Sequence, residues 1–513
     1  MRLADYLDKG ASLGGDAPCL TMGDTRLCYA EVQALTHRIA RRMATAGVAA
    51  GAHVAILSDN DPVAFACVFA ISRSGAVWCP INPRNEAAEN AQVLGGFDCT
   101  VLLFQQRFAT LVESLAAALP ALTLLVCLDA DLPFAPSLAT WLEDVDDAPF
   151  AAEPVTDVAM LPGTGGTTGV PKGVMLTDAN LEAMTALTLI AYPFDGRPVY
   201  LAMAPLTHAA GVLALPILAL GGEIVVMPKA DIHAFLAAIP AHGVTHTFLP
   251  PTLIYMLLDD PDLDTVDLSC LQCFWYGAAP ISADRLAEAL VRIGPVMAQL
   301  FGQTEAPMMI SSLAPADHFH VDGSIAHERL TSAGRPGALV EVATADPEGR
   351  LLPHGATGEI VVRGSLVMKG YYRNPAATAE ARTPGGWHRT GDIGYIDPDG
   401  FLFIVDRAKD MIITGGFNVY SAEVEKALIA HPAVQDCAVF GLPDAKWGER
   451  VCAVVQLRAG SSVDPDTLVA HAKALVGSVK APKSVAIWPD LPRSKVGKVL
   501  KKDIRARLLT GQP

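Results

Sequence analysis

The chain has 513 residues, 51% of them hydrophobic and 18% charged, and a formal net charge of −16. That length exceeds what one core supports and predicts at least two domains. The acidic balance argues against nucleic acid as a partner, because phosphate neutralisation needs clustered Lys and Arg.

The first residues, Met-Arg-Leu-Ala-Asp-Tyr, place an acid where a signal peptide needs an apolar core, which predicts a soluble, cytoplasmic protein. A Gly-x-Ser-x-Gly spacing at 10–14 has no preceding strand and so makes no nucleophile elbow. Helical spacing over 29–46 and 62–74 alternates with apolar runs at 54–58, 76–81, 100–104 and 124–128 that read as buried strands. This alternation predicts an α/β protein of stacked layers around largely parallel sheet.

Residues 161–173 read Leu-Pro-Gly-Thr-Gly-Gly-Thr-Thr-Gly-Val-Pro-Lys-Gly, with five glycines, three threonines and one lysine. Glycine lets backbone approach a ligand, threonine hydroxyls and free N–H groups face phosphate oxygens, and a lysine adds a point charge. Lys172 follows Pro171, so the segment is not a GxxxxGK[ST] loop. The most membrane-like stretch, 209–220, is broken by Pro216 and too short to span a bilayer; it reads as a buried helix leading into a strand at 224–227. His242 and His246 are four apart, but Gly243 ends the helix between them, which argues against a metal pair. Cys270 and Cys273 form a CxxC without a second pair, and the ten cysteines sit mostly in apolar runs, as buried free thiols do.

Further polar clusters follow predicted strands. Trp275–Pro280 is a glycine-bearing turn. Residues 299–305, Gln-Leu-Phe-Gly-Gln-Thr-Glu, offer a ring, a hydroxyl and a carboxylate suited to a base, a phosphate and Mg²⁺. From 358 the strands shorten, which predicts a small β-subdomain, and residues 388–392 (His-Arg-Thr-Gly-Asp) place a carboxylate where a vicinal diol could donate. After 406–410 comes a compact α+β pattern with a helix capped by Ser421, with Glu423 and Glu425 in its first turn. From Asp410 onward, 14 Lys and Arg face 10 Asp and Glu, a net +4 that leaves −20 on the rest. A basic loop, Pro-Arg-Ser-Lys-Val-Gly-Lys at 492–498, lies near the end.

In this order, over about residues 29–502, the segments resemble the adenylate-forming superfamily of acyl-CoA synthetases, luciferases and peptide-synthetase adenylation domains. The resemblance implies a large N-terminal domain of stacked α/β layers with a small β-barrel (1–406) and a mobile α+β C-terminal lid (407–513), hinged at about 406–410 through Lys409. It implies that Thr164, Gly165, Gly166, Thr167 and Thr168 cradle the phosphates of ATP with Lys172. Ala278, Ala279 and Pro280 would border adenine, Phe301 would stack on it, and Gln299 and Asn418 would bind ATP or AMP. Thr304 would touch the α-phosphate, Glu305 would hold Mg²⁺, and Asp392 and Arg407 would grip the ribose. His208 is the implied active-site histidine, and Lys498 the lid cation that meets the transferring group. Coenzyme A would be bordered by Gly415, Gly416 and Trp447 and met by Lys480 and Lys483.

The resemblance therefore implies an acid–thiol ligase that makes an acyl-adenylate from ATP and a carboxylic acid, then an acyl-CoA. The acid pocket is expected among His208, Ala209, Gly211, Phe248, Trp275, Tyr276, Gly277, Gly302, Pro307 and Met308, which carry no Lys or Arg. This favours a hydrophobic monoacid: aromatic, alicyclic or medium-chain fatty. A carrier protein as acceptor, or a non-catalytic ATP- or acyl-binding relative, stays open, as does a monomer or a homodimer. The chain departs from the family pattern at Gly165 (usually Ser), Val496 (usually Ser or Thr) and Ser421 (commonly Pro).

Overall fold

The computed structural model describes residues 1–165, 171–444, 446–493 and 499–510. The chain forms two compact units, one of residues 1–342 with 362–382 and one of residues 343–361 with 383–513.

The first unit holds two large sheets. One has nine strands, in the spatial order Arg335–Pro336, Ala306–Leu313, Met297–Gln303, Cys273–Gly277, His246–Leu249, Val199–Ala202, Glu223–Val226, Pro18–Met22 and Thr25–Cys28. The six strands from Met297–Gln303 to Pro18–Met22 are parallel. The second sheet runs Gly370–Tyr371, Pro171–Thr177, Val158–Met160, Val77–Pro80, His53–Leu57, Cys99–Phe104 and Leu124–Cys127, with Gly163–Gly165 beside Pro171–Thr177. The five strands from Val158–Met160 to Leu124–Cys127 are parallel, and their interiors are almost continuously buried, as parallel strands covered on both faces require.

Helices lie against these sheets because their sequences carry both caps and an apolar stripe. Pro62–Arg73 starts at Asp61, whose carboxylate accepts the Ala64 N–H at 2.9 Å, with Pro62 at the first helical position. Leu3–Leu13 packs against both Pro62–Arg73 and the buried helix Ala209–Ala219. Tyr29, wholly buried, donates its hydroxyl to the Gly222 carbonyl at 2.6 Å. Ala209–Ala219 leads into Glu223–Val226 as expected, and among the described residues no helix is long and apolar enough to cross a membrane. Gly243, at φ +61°, closes the helix Ile232–His242, so His246 lies on the following strand rather than one turn from His242. All ten cysteines are free thiols.

The second unit contains a four-stranded sheet, Glu341–Ala345, Gly358–Arg363, His388–Ile396 and Leu402–Arg407, which is the form the expected β-subdomain takes. It also contains a five-stranded sheet built on the long hairpin Val434–Asp444 and Gly448–Leu457, with helices Ser421–Ile429, Pro465–Lys480 and Lys501–Thr510. Val424, Leu428, Val439, Val451, Val455 and Leu468 form its core.

Candidate functional site

Parallel strands that share a direction bring their carboxyl ends to one edge of a sheet, and ligands bind outside those ends. The neighbouring strands Val199–Ala202, His246–Leu249, Cys273–Gly277 and Met297–Gln303 therefore deliver Pro205–His208, Ala278–Pro280 and Phe301–Glu305 to one edge. Thr304 and Glu305 form the two-residue turn between Met297–Gln303 and Ala306–Leu313, where Gln303 pairs with Ala306. Phe301, Gly302 and Thr304 are partly exposed and Glu305 is buried. A Cβ on Gly302 would lie 2.3 Å from the Met308 N, so only glycine fits beneath the turn. Ala278 and Met308 both take positive φ, +65° and +60°. Non-glycine residues rarely hold that conformation unless the surroundings enforce it, and such strain gathers at ligand sites. Gln299 is held through its main-chain carbonyl, which accepts the Tyr192 hydroxyl at 2.6 Å.

His208 stands just before the helix Ala209–Ala219, open to solvent at its edge, with its Nδ1 2.8 Å from the Thr207 hydroxyl. Crowding by protein, and then the Arg84 guanidinium, hold its pKa below the ordinary imidazole value. Asn60, at the end of the second sheet's strand His53–Leu57, fastens this turn. Its amide donates to the carbonyls of Ala204 and Met227, both at 3.1 Å, and its carbonyl accepts the Leu206 N–H at 2.9 Å. A cleft beside Thr207 is lined by Asn60, Asn82, Arg84, Met203, Pro205 and Lys229, two of them cations. A larger groove of about 620 Å³, bordered by Asp264, Leu268, Val291 and Arg292, carries none of the motif residues.

The glycine-threonine segment is a hairpin. Gly163–Gly165 pairs antiparallel with Pro171–Thr177, so Thr164 faces Lys172 and Gly165 faces Pro171. Gly166, Thr167 and Thr168 lie outside the described residues. The Lys172 ammonium sits 4.9 Å from the centroid of the Tyr371 ring, and the Tyr371 hydroxyl donates to Glu305 Oε1 at 2.8 Å. A single tyrosine thus touches the phosphate-loop lysine and the carboxylate expected to hold the metal. Sequence reasoning missed it, because Tyr371 reads as one of two ordinary tyrosines on the way to Asp392. The one available signal is the glycine before it, Gly370, at φ +154°, whose Cβ would meet Thr378 Cγ2 at 2.8 Å.

The expected acid pocket needs correction. Adjacent strand residues point to opposite faces, so Trp275 and Tyr276 cannot line one pocket with their rings. Tyr276 belongs to the core with Phe274, Leu249 and Met297 and its hydroxyl lies 2.9 Å from His318 Nε2. Trp275, wholly buried, packs on the other face among Tyr192, Phe194, Tyr200 and His246. Phe248 pairs in register with Trp275 and is also buried. Gly211 is required by packing, since its Cβ would fall 1.9 Å from the Leu206 carbonyl oxygen, and Gly277 likewise abuts the Leu300 carbonyl at 2.4 Å. Ala209, Gly302 and Met308 are the partly exposed members, while Pro307 is buried.

Within the second unit, Asp392 and Arg407 are register partners on His388–Ile396 and Leu402–Arg407, and Arg407 Nε bonds Asp392 Oδ1 at 2.7 Å. The carboxylate is buried and the guanidinium half-exposed. Next to them, Asp406 reaches the start of the helix Ser421–Ile429. Its carboxylate accepts the N–H groups of Ser421 and Ala422, and the Ser421 hydroxyl at 3.1 Å. The expectation that Ser421 caps this helix is therefore corrected: Ser421 is its first helical residue, and Asp406 supplies the cap. Lys409 is exposed in the short 3-10 turn Ala408–Asp410.

Gly415 and Gly416 turn at φ +57° and +81°. A Cβ on Gly415 would strike the Trp447 ring at 2.7 Å, and the Gly415 N–H donates to the Trp447 carbonyl at 2.8 Å. Trp447 is 44% exposed, with the Lys446 ammonium 4.7 Å from its ring centroid. Lys480 is not the free cation that its expected role presumes, because Glu423 accepts its ammonium at 2.7 Å and 2.8 Å. Lys483 is exposed and donates to the Ser478 carbonyl. Val496, Lys498 and the side chain of Asn418 lie outside the described residues.

A family model described as AMP-binding enzyme matches residues 7–372, and one described as AMP-binding enzyme C-terminal domain matches residues 423–498. The chain is 38% identical over 509 residues to the medium/long-chain-fatty-acid–CoA ligase FadD8 of Mycobacterium tuberculosis, covering 96% of this chain and 88% of that one. It is 37% identical over 507 residues to a feruloyl-CoA synthase of Amycolatopsis, covering 98% and 99%. Among solved structures, the amide bond synthetase McbA of Marinactinospora thermotolerans superposes with a TM-score of 0.88 at 31% identity, covering 98% and 99%.

Proposed function

The chain belongs to the AMP-binding enzyme family, as an AMP-forming acyl-CoA synthetase of the adenylate-forming superfamily that uses ATP, Mg²⁺ and coenzyme A, and from this we propose that it activates a hydrophobic monocarboxylic acid, whether aromatic, alicyclic or medium-chain fatty. The observation that carries the reading is the contact chain Lys172–Tyr371–Glu305, which sets the phosphate hairpin and the Thr304–Glu305 turn side by side.

Glu305 suits Mg²⁺. Its Oε1 accepts the Tyr371 hydroxyl and its Oε2 can face a cation, and one carboxylate with substrate phosphates and water is how Mg²⁺ is commonly held. Among the described residues no cluster of three ligating side chains exists, which fits a metal carried in by the nucleotide rather than caged by protein. Bound there, Mg²⁺ would neutralise phosphate charge. In the first half-reaction an oxygen of the acid forms a bond to the α-phosphorus and the bond to pyrophosphate breaks. Thr164 and the N–H groups of the phosphate hairpin receive the leaving oxygens, Thr304 donates to the α-phosphate, and Lys498 stabilises the charge that develops. Asp392 accepts from the ribose hydroxyls with Arg407 beside it, while Phe301 and Ala278–Pro280 border the base.

In the second half-reaction the thiolate of coenzyme A bonds to the acyl carbon and AMP leaves with the bonding pair. His208, its pKa held below the ordinary imidazole value, is able to take the thiol proton, and the exposed Trp447 ring with Gly415 and Gly416 offers a surface for the cofactor. We place the boundary between adenylation and lid domains at 406–410, with Lys409 as the pivot.

Two relatives are named for a fatty acid and for an aromatic acid, which supports an apolar acid without choosing between them. Likeness to an amide bond synthetase favours one second reading, an amine as acceptor. Pyrophosphate release with a panel of acids, with coenzyme A, with an amine or with neither, tests both. Thioester only with coenzyme A supports the proposal, amide formation supports the second reading, and no release with any acid refutes both.

A further inference from the structure

We propose that Tyr371 is the positioning residue that aims the Glu305 carboxylate at the metal of the ATP complex while parking the Lys172 ammonium beside the phosphate hairpin. The inference rests on the acyl-adenylate reading above and goes beyond it by assigning a role to a residue that no motif role covers.

The geometry begins with the backbone. Gly370–Tyr371 is an edge strand paired antiparallel with Pro171–Thr177, Tyr371 opposite Val174 and Gly370 opposite Met175. Gly370 permits the close approach to Thr378, and the Thr378 hydroxyl accepts the Tyr371 N–H at 2.9 Å while donating to the Asn374 carbonyl at 2.9 Å. Asn374 in turn caps the helix Pro375–Glu380 by accepting the Ala377 N–H. The ring is thereby fixed from below before any ligand arrives.

Glu305 is then gripped at two points by the same segment. Its main-chain carbonyl accepts the Met368 N–H at 2.8 Å, and its Oε1 accepts the Tyr371 hydroxyl at 2.8 Å. A carboxylate at a two-residue turn has free side-chain torsions unless something holds one oxygen. With Oε1 taken, Oε2 is left to point at a cation, which is the arrangement by which outer hydrogen bonds orient metal ligands. On the other side, the ring face attracts the Lys172 ammonium at 4.9 Å, a cation–π contact that restrains a long side chain without neutralising its charge. One side chain thus couples groups on two different sheets: Lys172 on the second and Glu305 on the first.

The two contacts separate chemically. Tyr371→Phe removes the hydroxyl and keeps the ring, so it should loosen Glu305 and spare Lys172. Tyr371→Leu removes both. Losing an outer partner of a metal ligand typically costs about 10–100-fold in metal affinity. Calorimetric titration of the full-length protein with ATP, with and without Mg²⁺, reads this apart from turnover. In Tyr371→Phe the Kd for ATP with Mg²⁺ should rise about tenfold while the metal-free Kd stays put. In Tyr371→Leu both should rise. In a Glu305→Gln background Tyr371→Phe should add nothing. Thioester formation from supplied acyl-adenylate, which needs no metal, should be untouched in Tyr371→Phe and also shows that the variant folds. Equal weakening with and without Mg²⁺, no change in either, or full additivity with Glu305→Gln would each overturn the assignment. Should the wild-type protein itself release no pyrophosphate with any acid, the functional reading fails instead, and the two failures are distinct.

Discussion

Replacing Lys501 by methionine probes a largely buried ion pair of the second unit. Lys501 Nζ donates to Glu425 Oε1 and to the Ser421 hydroxyl, both at 2.7 Å, and the two charged side chains are only 23% and 18% exposed. Glu425 Oε1 also accepts the Val439 N–H at 2.8 Å. Removing the cation leaves a carboxylate with one neutral donor, and breaking such a pair costs about 3–5 kcal/mol. For a unit of about 150 residues that is a fall in Tm of roughly 6–20 °C. The loss should depend on pH. Burial already holds the Glu425 carboxyl above its usual range. A carboxyl raised in the folded state contributes stability below its unfolded pKa, and that contribution is lost as pH rises through the folded value. Without Lys501 the carboxyl is raised further, so Lys501→Met should lose less at pH 5 than at pH 8, because the lower pH favours the protonated carboxyl. Thermal melts at both values, with the Lys501→Met/Glu425→Leu double variant alongside, test this. A double variant near wild-type stability is expected, since an apolar pair of similar volume can replace a buried ion pair. A pH-independent loss, or a double variant as weak as the single, would refute the reasoning.

Three further outcomes are expected. Lys498→Ala should slow adenylation by ~10²–10³ while thioester formation from supplied acyl-adenylate survives, as half-reaction kinetics will show; equal loss in both would remove its distinct role. Asn60→Ala deletes the bonds to Ala204, Met227 and Leu206 and should cost about 2–3 kcal/mol in denaturant unfolding, with KM and kcat both altered because the His208 turn shifts. Asp178 is raised by burial from 3.8 to about 6, so its stabilising contribution is present below pH 3.8 and lost as pH rises through about 6. Asp178→Asn should therefore be the more stable protein at pH 7.5, and equal to wild type near pH 4, as melts at the two pH values would reveal.

Much of this protein was legible from sequence alone, because its informative features are local. A glycine-threonine run must be a hairpin or loop, Gly243 must stop a helix, and apolar runs of strand length alternating with helical spacing must stack into α/β layers. The order of the motifs named the family, since the chemistry of each segment depends on residues a few positions apart. Tertiary structure decided what lies between segments. Tyr371 meets Glu305 and Lys172 across 66 and 199 positions of chain, and Asn60 reaches the His208 turn from another sheet. Side-chain direction was decided there too, because the pleat sends Trp275 and Tyr276 to opposite faces and takes the Tyr276 ring out of the acid pocket into the core. Ser421 shows the same limit: its sequence reads as a cap, but a carboxylate fifteen residues away already occupies that place. Local spacing encodes which groups are present. Which groups touch is set by how sheets register and pack, and that depends on the whole chain.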